Sequence, residues 1–318
     1  MNIALIEPLH ISQAALAALA RPLEEVGHRF TAWEQKAASP EEMLQRVIGQ
    51  DIVIIANTPF PEAVVKGADR LKMLDVAFTG IDHVALSACR EKGVMINNCA
   101  NYSNQAVAEM AVGLALSLLR KIPEGNEKIR HGQGSAGLMG GEIAGKTVGV
   151  IGTGRIGEKA IRLFQAFGAH VIAYSRTEKP EIAALGVEYL PLNEVMARSD
   201  ILSLHLPATP QTRRLIGREQ LQCMKKSALL INCARGAVLD AEALITALNE
   251  DWIAGAALDV FDQEPPLPEN HPLFGAKNLI MTPHTAYFTK EAMLRRAQIA
   301  FDNIQAYLAG KPQNICGE

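Results

Sequence analysis

Several features that mark specialised proteins are absent from this sequence or scarce in it. Its 318 residues include five cysteines, Cys89, Cys99, Cys223, Cys233 and Cys316, an odd number with no C-x-x-C pair. Neither a disulfide framework nor a metal site is expected from them, and a reducing, cytoplasmic setting fits. Charge of one sign is not in excess: 31 basic against 34 acidic residues leave a net charge of −3. Such a balance creates no field for a polyanion or an anionic membrane surface, so no nucleic-acid partner and no membrane partner is expected. Long apolar runs are missing too. The most apolar stretch, Ala106 to Leu119, contains Glu109 and falls short of the roughly 20 residues that a bilayer span requires. The start of the chain, Met1 to Ile6, has no basic leader before Glu7-Pro8, so no signal peptide is expected. The 25 glycines and 16 prolines follow no period, and with 48% hydrophobic residues the composition is that of an ordinary globular chain.

At roughly 150 residues per domain the length points to two domains. Short β-rich runs alternate with helical patterns: Ile3 to Ile6, Ile52 to Ala56, Met73 to Phe78, Val148 to Ile151, Val171 to Tyr174, Ile201 to Leu206, Ala228 to Asn232, Gly255 to Val260 and Leu279 to Thr282. Alternation of this kind predicts α/β architecture, and several runs are apolar at consecutive positions, as in parallel strands covered on both faces. One set of units precedes residue 98 and another follows residue 146, so two sheets with a cleft between them are expected. Between the sets, Ser103 to Lys121 reads as a buried helix. The glycine-rich stretch after it, Gly132 to Gly141, reads either as a surface loop or as an arm for subunit contact.

The most specific local signal is Lys146-Thr147-Val148-Gly149-Val150-Ile151-Gly152-Thr153-Gly154-Arg155-Ile156-Gly157, a strand that runs into G-x-G-x-x-G with a helical pattern at once after it. In that context Gly152 makes the tight turn, Gly154 lets backbone amides approach a diphosphate, and Gly157 lets helix pack on strand. The helix N-terminus supplies unpaired N–H groups and the positive end of a dipole. The next run ends in Ser175-Arg176-Thr177-Glu178-Lys179, where an NAD-preferring site would carry an acidic residue for the ribose 2′-hydroxyl. Here Ser175 and Thr177 offer hydroxyls and Arg176 a planar fork of donors, which predicts NADPH (NADP) as the preferred cofactor, with NADH (NAD) as the weaker one. The competing reading of Arg176 is a solvated side chain in a turn.

Three further segments each close a β-run: Asn232 to Gly236, Asp259 to Pro265 and Thr282 to Ala286. In open α/β sheets the loops at the carboxyl ends of strands handle ligands, so Arg235, Glu264 and His284 are expected to converge beside a nicotinamide. Their types suit reduction of a 2-oxo acid. Arg235 is the permanent cation for the carboxylate and carbonyl, His284 the acid that protonates the oxygen, and Glu264 the partner that orients the imidazole and favours its protonated form.

With these segments in hand the chain resembles the D-isomer-specific 2-hydroxyacid dehydrogenase family, and its glyoxylate/hydroxypyruvate reductase members in particular. The likeness runs through Phe78 to Val84, Val107-Ala108-Glu109, Gly145 to Gly157, Ser199-Asp200-Ile201, His205-Leu206-Pro207 and the Arg235, Glu264 and His284 segments. It implies two doubly wound parallel-sheet domains around a cleft: a flavodoxin-like substrate domain, residues 1–98 plus 288–318, with a Rossmann nucleotide domain, residues 99–287, inserted into it. It also implies a homodimer built on the nucleotide domains and a D-2-hydroxy acid as product. By the same resemblance Thr79 and Gly80 amides and the side chains of Arg235 and His284 bind substrate. Cofactor contacts fall to Gly152, Thr153, Gly154, Arg155, Ile156, Gly157, Ser175, Arg176, Thr177, His205, Leu206, Pro207, Thr212, Cys233 and Ala234, with Asp259 near the carboxamide. Read without the resemblance, His205 is equally a core histidine, Asp259 a helix cap and Cys233 a small buried apolar residue.

Formate dehydrogenases of this superfamily carry Gln where Glu264 stands, so formate is not expected as substrate. Only 34 residues follow His284, which leaves no room for the regulatory C-terminal domain of longer phosphoglycerate dehydrogenases. The loop Ala56 to Pro61 holds no Lys or Arg, which favours glyoxylate and hydroxypyruvate over a phosphorylated substrate, while Phe60 and Phe78 keep an aromatic 2-oxo acid open. Two alternatives remain: an NAD-dependent D-lactate or phosphoglycerate type of dehydrogenase, and a nucleotide-sensing, corepressor-like interaction protein on the same fold.

Overall fold

Runs of mainly apolar residues form the strands at the centre of each sheet. The computed structural model describes residues 1–263 and 266–317, which divide into two units, Met1–Ser103 with Phe288–Glu318 and Asn104–Tyr287. In the first unit the strands β1 (Asn2–Leu5), β2 (Arg29–Ala32), β3 (Ile52–Ile55), β4 (Met73–Val76) and β5 (Met95–Asn98) alternate with the helices α1 (Gln13–Glu25), α2 (Pro40–Val47), α3 (Glu62–Gly67) and α4 (Leu86–Lys92). β3 and β4 are fully buried, as strands covered on both faces must be.

The second unit runs α5 (Asn104–Leu119), α6 (Ile122–Arg130), β6 (Thr147–Ile151), α7 (Arg155–Ala166), β7 (His170–Tyr174), α8 (Pro180–Ala183), β8 (Glu188–Tyr189), α9 (Leu192–Arg198), β9 (Ile201–Leu204), α10 (Arg218–Cys223), β10 (Leu229–Asn232), α11 (Ala241–Asn249), β11 (Gly255–Leu258) and β12 (Leu279–Met281). The chain then returns to the first unit through α12 (Lys290–Leu308) and β13 (Ile315–Cys316).

The first sheet has the order β13-β5-β4-β3-β1-β2 and the second β12-β11-β10-β9-β6-β7-β8. Both are parallel throughout except for β13, which pairs antiparallel with β5. Each order reverses beside its first strand, between β1 and β3 and between β6 and β9, which makes the doubly wound pattern and sets a crevice at each reversal. No described helix is long and apolar enough to cross a membrane.

Strands β2, β5, β8 and β13 do not stand out as apolar runs. β2 and β8 are edge strands whose residues are exposed or half-buried, and Asn97 and Asn98 make β5 polar. The helix expected over Ser103 to Lys121 is α5, whose face Ala108, Ala111 and Ala115 is fully buried and packs on α7. The glycine-rich stretch returns along its end: Gly141 N–H donates to the Leu119 carbonyl at 2.9 Å. Phe60 is fully buried and Phe78 nearly so, and both rings count among the core residues of the first unit. The Ala56 to Pro61 loop, although it holds no cation of its own, receives one: Lys36 Nζ donates to Asn57 Oδ1 at 2.8 Å.

Candidate active site

The glycine loop sits at the reversal of the second sheet. Gly152 has φ +96°, and a Cβ there would lie 2.4 Å from the His205 carbonyl oxygen, so glycine is required by both conformation and space. A Cβ on Gly157 would lie 2.0 Å from the Gly152 carbonyl oxygen, which is the close approach of helix to strand that the motif predicts. Gly154 differs from both. It caps α7, is exposed, and a Cβ on it would meet nothing within 4 Å. The space before the α7 N-terminus is therefore open, with unpaired backbone N–H groups behind it, and this cradle fits a dinucleotide diphosphate. Thr153 is buried within the loop, Arg155 is exposed at the start of α7, and Ile156 is half-buried.

Across the crevice, β9 delivers His205, Leu206 and Pro207. His205 N–H donates to the Ile151 carbonyl at 2.8 Å, tying this loop to the strand that precedes the glycines. The imidazole Nε2 pairs with Ser203 Oγ at 2.8 Å, and burial lowers its pKa to about 4, so the ring is neutral at physiological pH. Its Nδ1 is buried with no hydrogen-bond partner among the described residues. Thr212 closes the same loop: its hydroxyl donates to the Pro207 carbonyl at 2.6 Å and accepts from Thr209 N–H at 2.8 Å. At the end of β7, Ser175 is half-buried, while Arg176 and Thr177 are exposed.

The catalytic candidates follow from the adjacent strands β10, β11 and β12. Asn232, fully buried at the end of β10, shapes the turn after it, because its Oδ1 accepts from Ala234 N–H and its Nδ2 donates to the Arg235 carbonyl, both at 3.0 Å. Arg235 is half-buried and donates to the Ala234 carbonyl at 2.8 Å. Gly236 permits the turn to press on the β11 loop, since a Cβ would lie 2.0 Å from the carbonyl carbon of Phe261. Cys233 is buried, and burial first and the Asp259 carboxylate second push its thiol well above the ordinary range, which disfavours the thiolate.

Asp259 is fully buried at the end of β11 and clamps the neighbouring loop. Its Oδ1 accepts from Thr282 Oγ1 at 2.6 Å and Thr285 N–H at 2.9 Å, and its Oδ2 from Ala286 N–H at 2.9 Å. His284 lies inside that clamp with φ +53°, a left-handed conformation that costs a residue with a Cβ roughly 1–2 kcal/mol. Hydrogen bonds to a charged acceptor contribute about 1.5–3 kcal/mol each, so the clamp outweighs the strain. The ring stands edge-on to Tyr287, with centroids 5.5 Å apart. Sequence reasoning reached Asp259 as a cofactor contact and did not reach its hold on His284, nor the part played by Asn232.

The structure thus brings Arg235, Asp259 and His284 to the carboxyl ends of three neighbouring strands in one sheet. Glu264 lies outside the described residues. Thr79 and Gly80 belong to the first unit, where they follow β4, and the Thr79 carbonyl accepts from Asn98 Nδ2 at 2.8 Å. Among the described residues no group of His, Cys, Asp or Glu is arranged to hold a metal ion.

Comparison with known proteins bears on this arrangement. The family model described as D-isomer specific 2-hydroxyacid dehydrogenase, NAD binding domain, matches residues 112–286. A D-3-phosphoglycerate dehydrogenase of Methanocaldococcus jannaschii is 37% identical over 315 residues, covering 98% of this chain and 58% of the relative. The chain therefore spans little more than half the length of that protein. A glyoxylate reductase of Aeropyrum pernix is 40% identical over 258 residues, 78% of this chain and 77% of the relative. Among solved structures, an acyclic imino acid reductase in complex with NADPH and D-Arg superposes with a TM-score of 0.88 at 30% identity, covering 99% of this chain and 100% of that one. The fold and the glycine loop agree with the match over the second unit, and the chain belongs to the D-isomer specific 2-hydroxyacid dehydrogenases, a family of oxidoreductases.

Proposed function

We propose that the chain is an NADPH-dependent reductase of small 2-oxo acids, glyoxylate or hydroxypyruvate among them, giving D-2-hydroxy acids. The observation that carries this reading is the clamp of Asp259 on a strained His284, on the strand next but one to Arg235. Strain of that kind persists where a side chain must be aimed. Two relatives lend support, a glyoxylate reductase by its name and an imino acid reductase by its complex with NADPH.

The roles follow from the chemistry of the side chains. Arg235 holds the substrate carboxylate and polarises the adjacent carbonyl. His284 gives a proton to the carbonyl oxygen, and Glu264 is the acidic residue assigned to it as partner. The bound nicotinamide supplies the hydride. Cofactor choice rests on Arg176, exposed and without hydrogen bond or ion pair among the described residues, with the Ser175 and Thr177 hydroxyls and the Lys179 charge beside it. A guanidinium in that position favours a 2′-phosphate by roughly tenfold to a hundredfold. We place the enzyme in the cytoplasm as a homodimer of nucleotide units, with the exposed Ile122, Ile129 and Met139 of α6 and the glycine-rich stretch at the subunit contact.

The test is turnover of glyoxylate, hydroxypyruvate and phenylpyruvate with NADPH and NADH, followed by absorbance of the reduced nicotinamide. Glyoxylate and hydroxypyruvate are expected to react, with kcat/KM for NADPH at least tenfold above that for NADH. His284→Ala should abolish turnover and keep cofactor binding. Turnover retained in that variant would sink the mechanism, and tight NADPH binding with no 2-oxo acid reduced would favour a nucleotide-sensing role.

A further inference from the structure

The glycine loop and the ribose-side turn are joined by one phenol. Tyr189 ends β8, the edge strand beside β7, in register with Ala173, and the following Leu190 N–H donates to the Ala173 carbonyl at 2.9 Å. Its hydroxyl donates to Thr153 Oγ1 at 3.0 Å and accepts from Lys179 N–H at 3.2 Å. Thr153 is the middle residue of Gly152-Thr153-Gly154 and is only 1% exposed, and Lys179 closes the Ser175 to Lys179 turn as the residue that caps α8. Both hydrogen-bonding capacities of the phenol oxygen are thus used, one on each loop.

We propose that Tyr189 is a positioning residue for cofactor selection: it fixes the separation between the diphosphate cradle and Arg176. The proposal rests on Arg176 as the receiver of a 2′-phosphate. A dinucleotide that carries this phosphate presents two anionic groups, one to the α7 N-terminus and one to the Arg176 guanidinium, and both contacts form at full strength only when the loops keep the right spacing. A dinucleotide without it engages the cradle alone on the anionic side, so loosening the second loop costs it little. The phenol touches neither anion. It acts through Thr153 on one loop and through Lys179 on the other.

The experiment is calorimetric titration of the full chain with NADPH, NADH, adenosine 2′,5′-bisphosphate and AMP, for wild type, Tyr189→Phe, Arg176→Ala and the double variant. The phenylalanine keeps the ring on β8 and removes both hydrogen bonds. In Tyr189→Phe the Kd for NADPH is expected to rise about fivefold to tenfold and that for NADH less than about twofold, the range that loss of one or two neutral hydrogen bonds gives. The kcat at saturating NADPH should stay unchanged, and in the Arg176→Ala background the NADPH effect should shrink to the size of the NADH effect. Equal weakening of both cofactors, no weakening of either, or the full NADPH effect persisting without Arg176 would each overturn the proposal. If Arg176→Ala leaves NADPH binding untouched, the phosphate reading itself fails. If that variant weakens NADPH while Tyr189→Phe does nothing, the reading stands and the proposal alone falls.

Discussion

Asp75 and Asn97 are register partners across the parallel β4–β5 ladder, and the Oδ2 of one and the Oδ1 of the other are buried with no hydrogen-bond partner among the described residues. The remaining atoms of both side chains are occupied. Asp75 Oδ1 accepts from Asn303 Nδ2 at 2.9 Å, and Asn97 Nδ2 donates to the Gln313 carbonyl. Side chains in register share a face of the sheet, so two buried acceptors stand on one face of neighbouring strands, and a protonated Asp75 would supply a donor there. Burial, opposed in part by the Asn303 hydrogen bond, pushes the Asp75 carboxyl up to about 8.

That relationship sets a pH dependence with a definite sign. Unfolded, Asp75 ionises near 3.8, and folded near 8, so the folded chain holds one more proton between those values. The stabilisation is complete below pH 4, falls by up to about 1.4 kcal/mol per pH unit as the pH rises, and levels off above 8. Asp75→Asn imitates the protonated acid, with a donor for Asn97 and an acceptor for Asn303. Urea unfolding should find the variant equal to wild type near pH 4 and progressively more stable than wild type toward pH 8. A variant weaker than wild type at pH 8 would mean that the carboxylate form is the native one.

The glycines of the nucleotide loop should separate by experiment. Gly154→Ala puts a methyl into open space, so its Tm should match wild type while the Kd for NADPH rises tenfold or more. Gly157→Ala drives a Cβ against the Gly152 carbonyl and should lower stability by about 2 kcal/mol or more before any cofactor is added. Thermal melts of the two unliganded variants decide it, and similar melts would contradict the packing described above.

Asp259→Ala removes three short acceptor contacts from the loop that holds His284. Stability should fall by about 2–5 kcal/mol, and kcat/KM should fall by at least a hundredfold as the imidazole loses its aim. Denaturation together with steady-state kinetics measures both. A stable variant of near-normal rate would show that His284 needs no clamp.

The exposed apolar residues of α6 and of the glycine-rich stretch after it give the assembly test. Ile129 is 70% and Met139 91% exposed, apolar surface that a subunit contact would cover. Sedimentation should find a dimer for wild type and a monomer for Ile129→Asp with Met139→Asp. A double variant that still sediments as a dimer would put the subunit contact elsewhere.

What could be read from the chain alone was whatever is local. The glycine loop is a contiguous signal whose strand, turn and helix all lie within β6 and α7, so it was legible residue by residue. Central strands such as β3 announce themselves because burial on both faces demands unbroken apolar residues. Edge strands carry no such demand, and β2 and β8 went unseen. The hold of Asp259 on Ala286 spans 27 positions and that of Tyr189 on Thr153 spans 36. Contacts at such separations depend on which strands become neighbours, which no local pattern encodes. Lys36 teaches the same lesson, since it reaches Asn57 from the loop after β2 and gives the Ala56 to Pro61 segment a cation that its own residues lack.

The strand β13 has a further consequence for how the molecule is made. Residues 104–287 form a contiguous unit, whereas the other unit takes its sheet edge from Ile315–Cys316 and the buried Phe301 and Ile304 from α12. On the ribosome, units assemble once their residues have emerged. Residues 104–287 can therefore assemble before the unit that needs both 1–103 and 288–317 is complete, a reversal of the usual vectorial order.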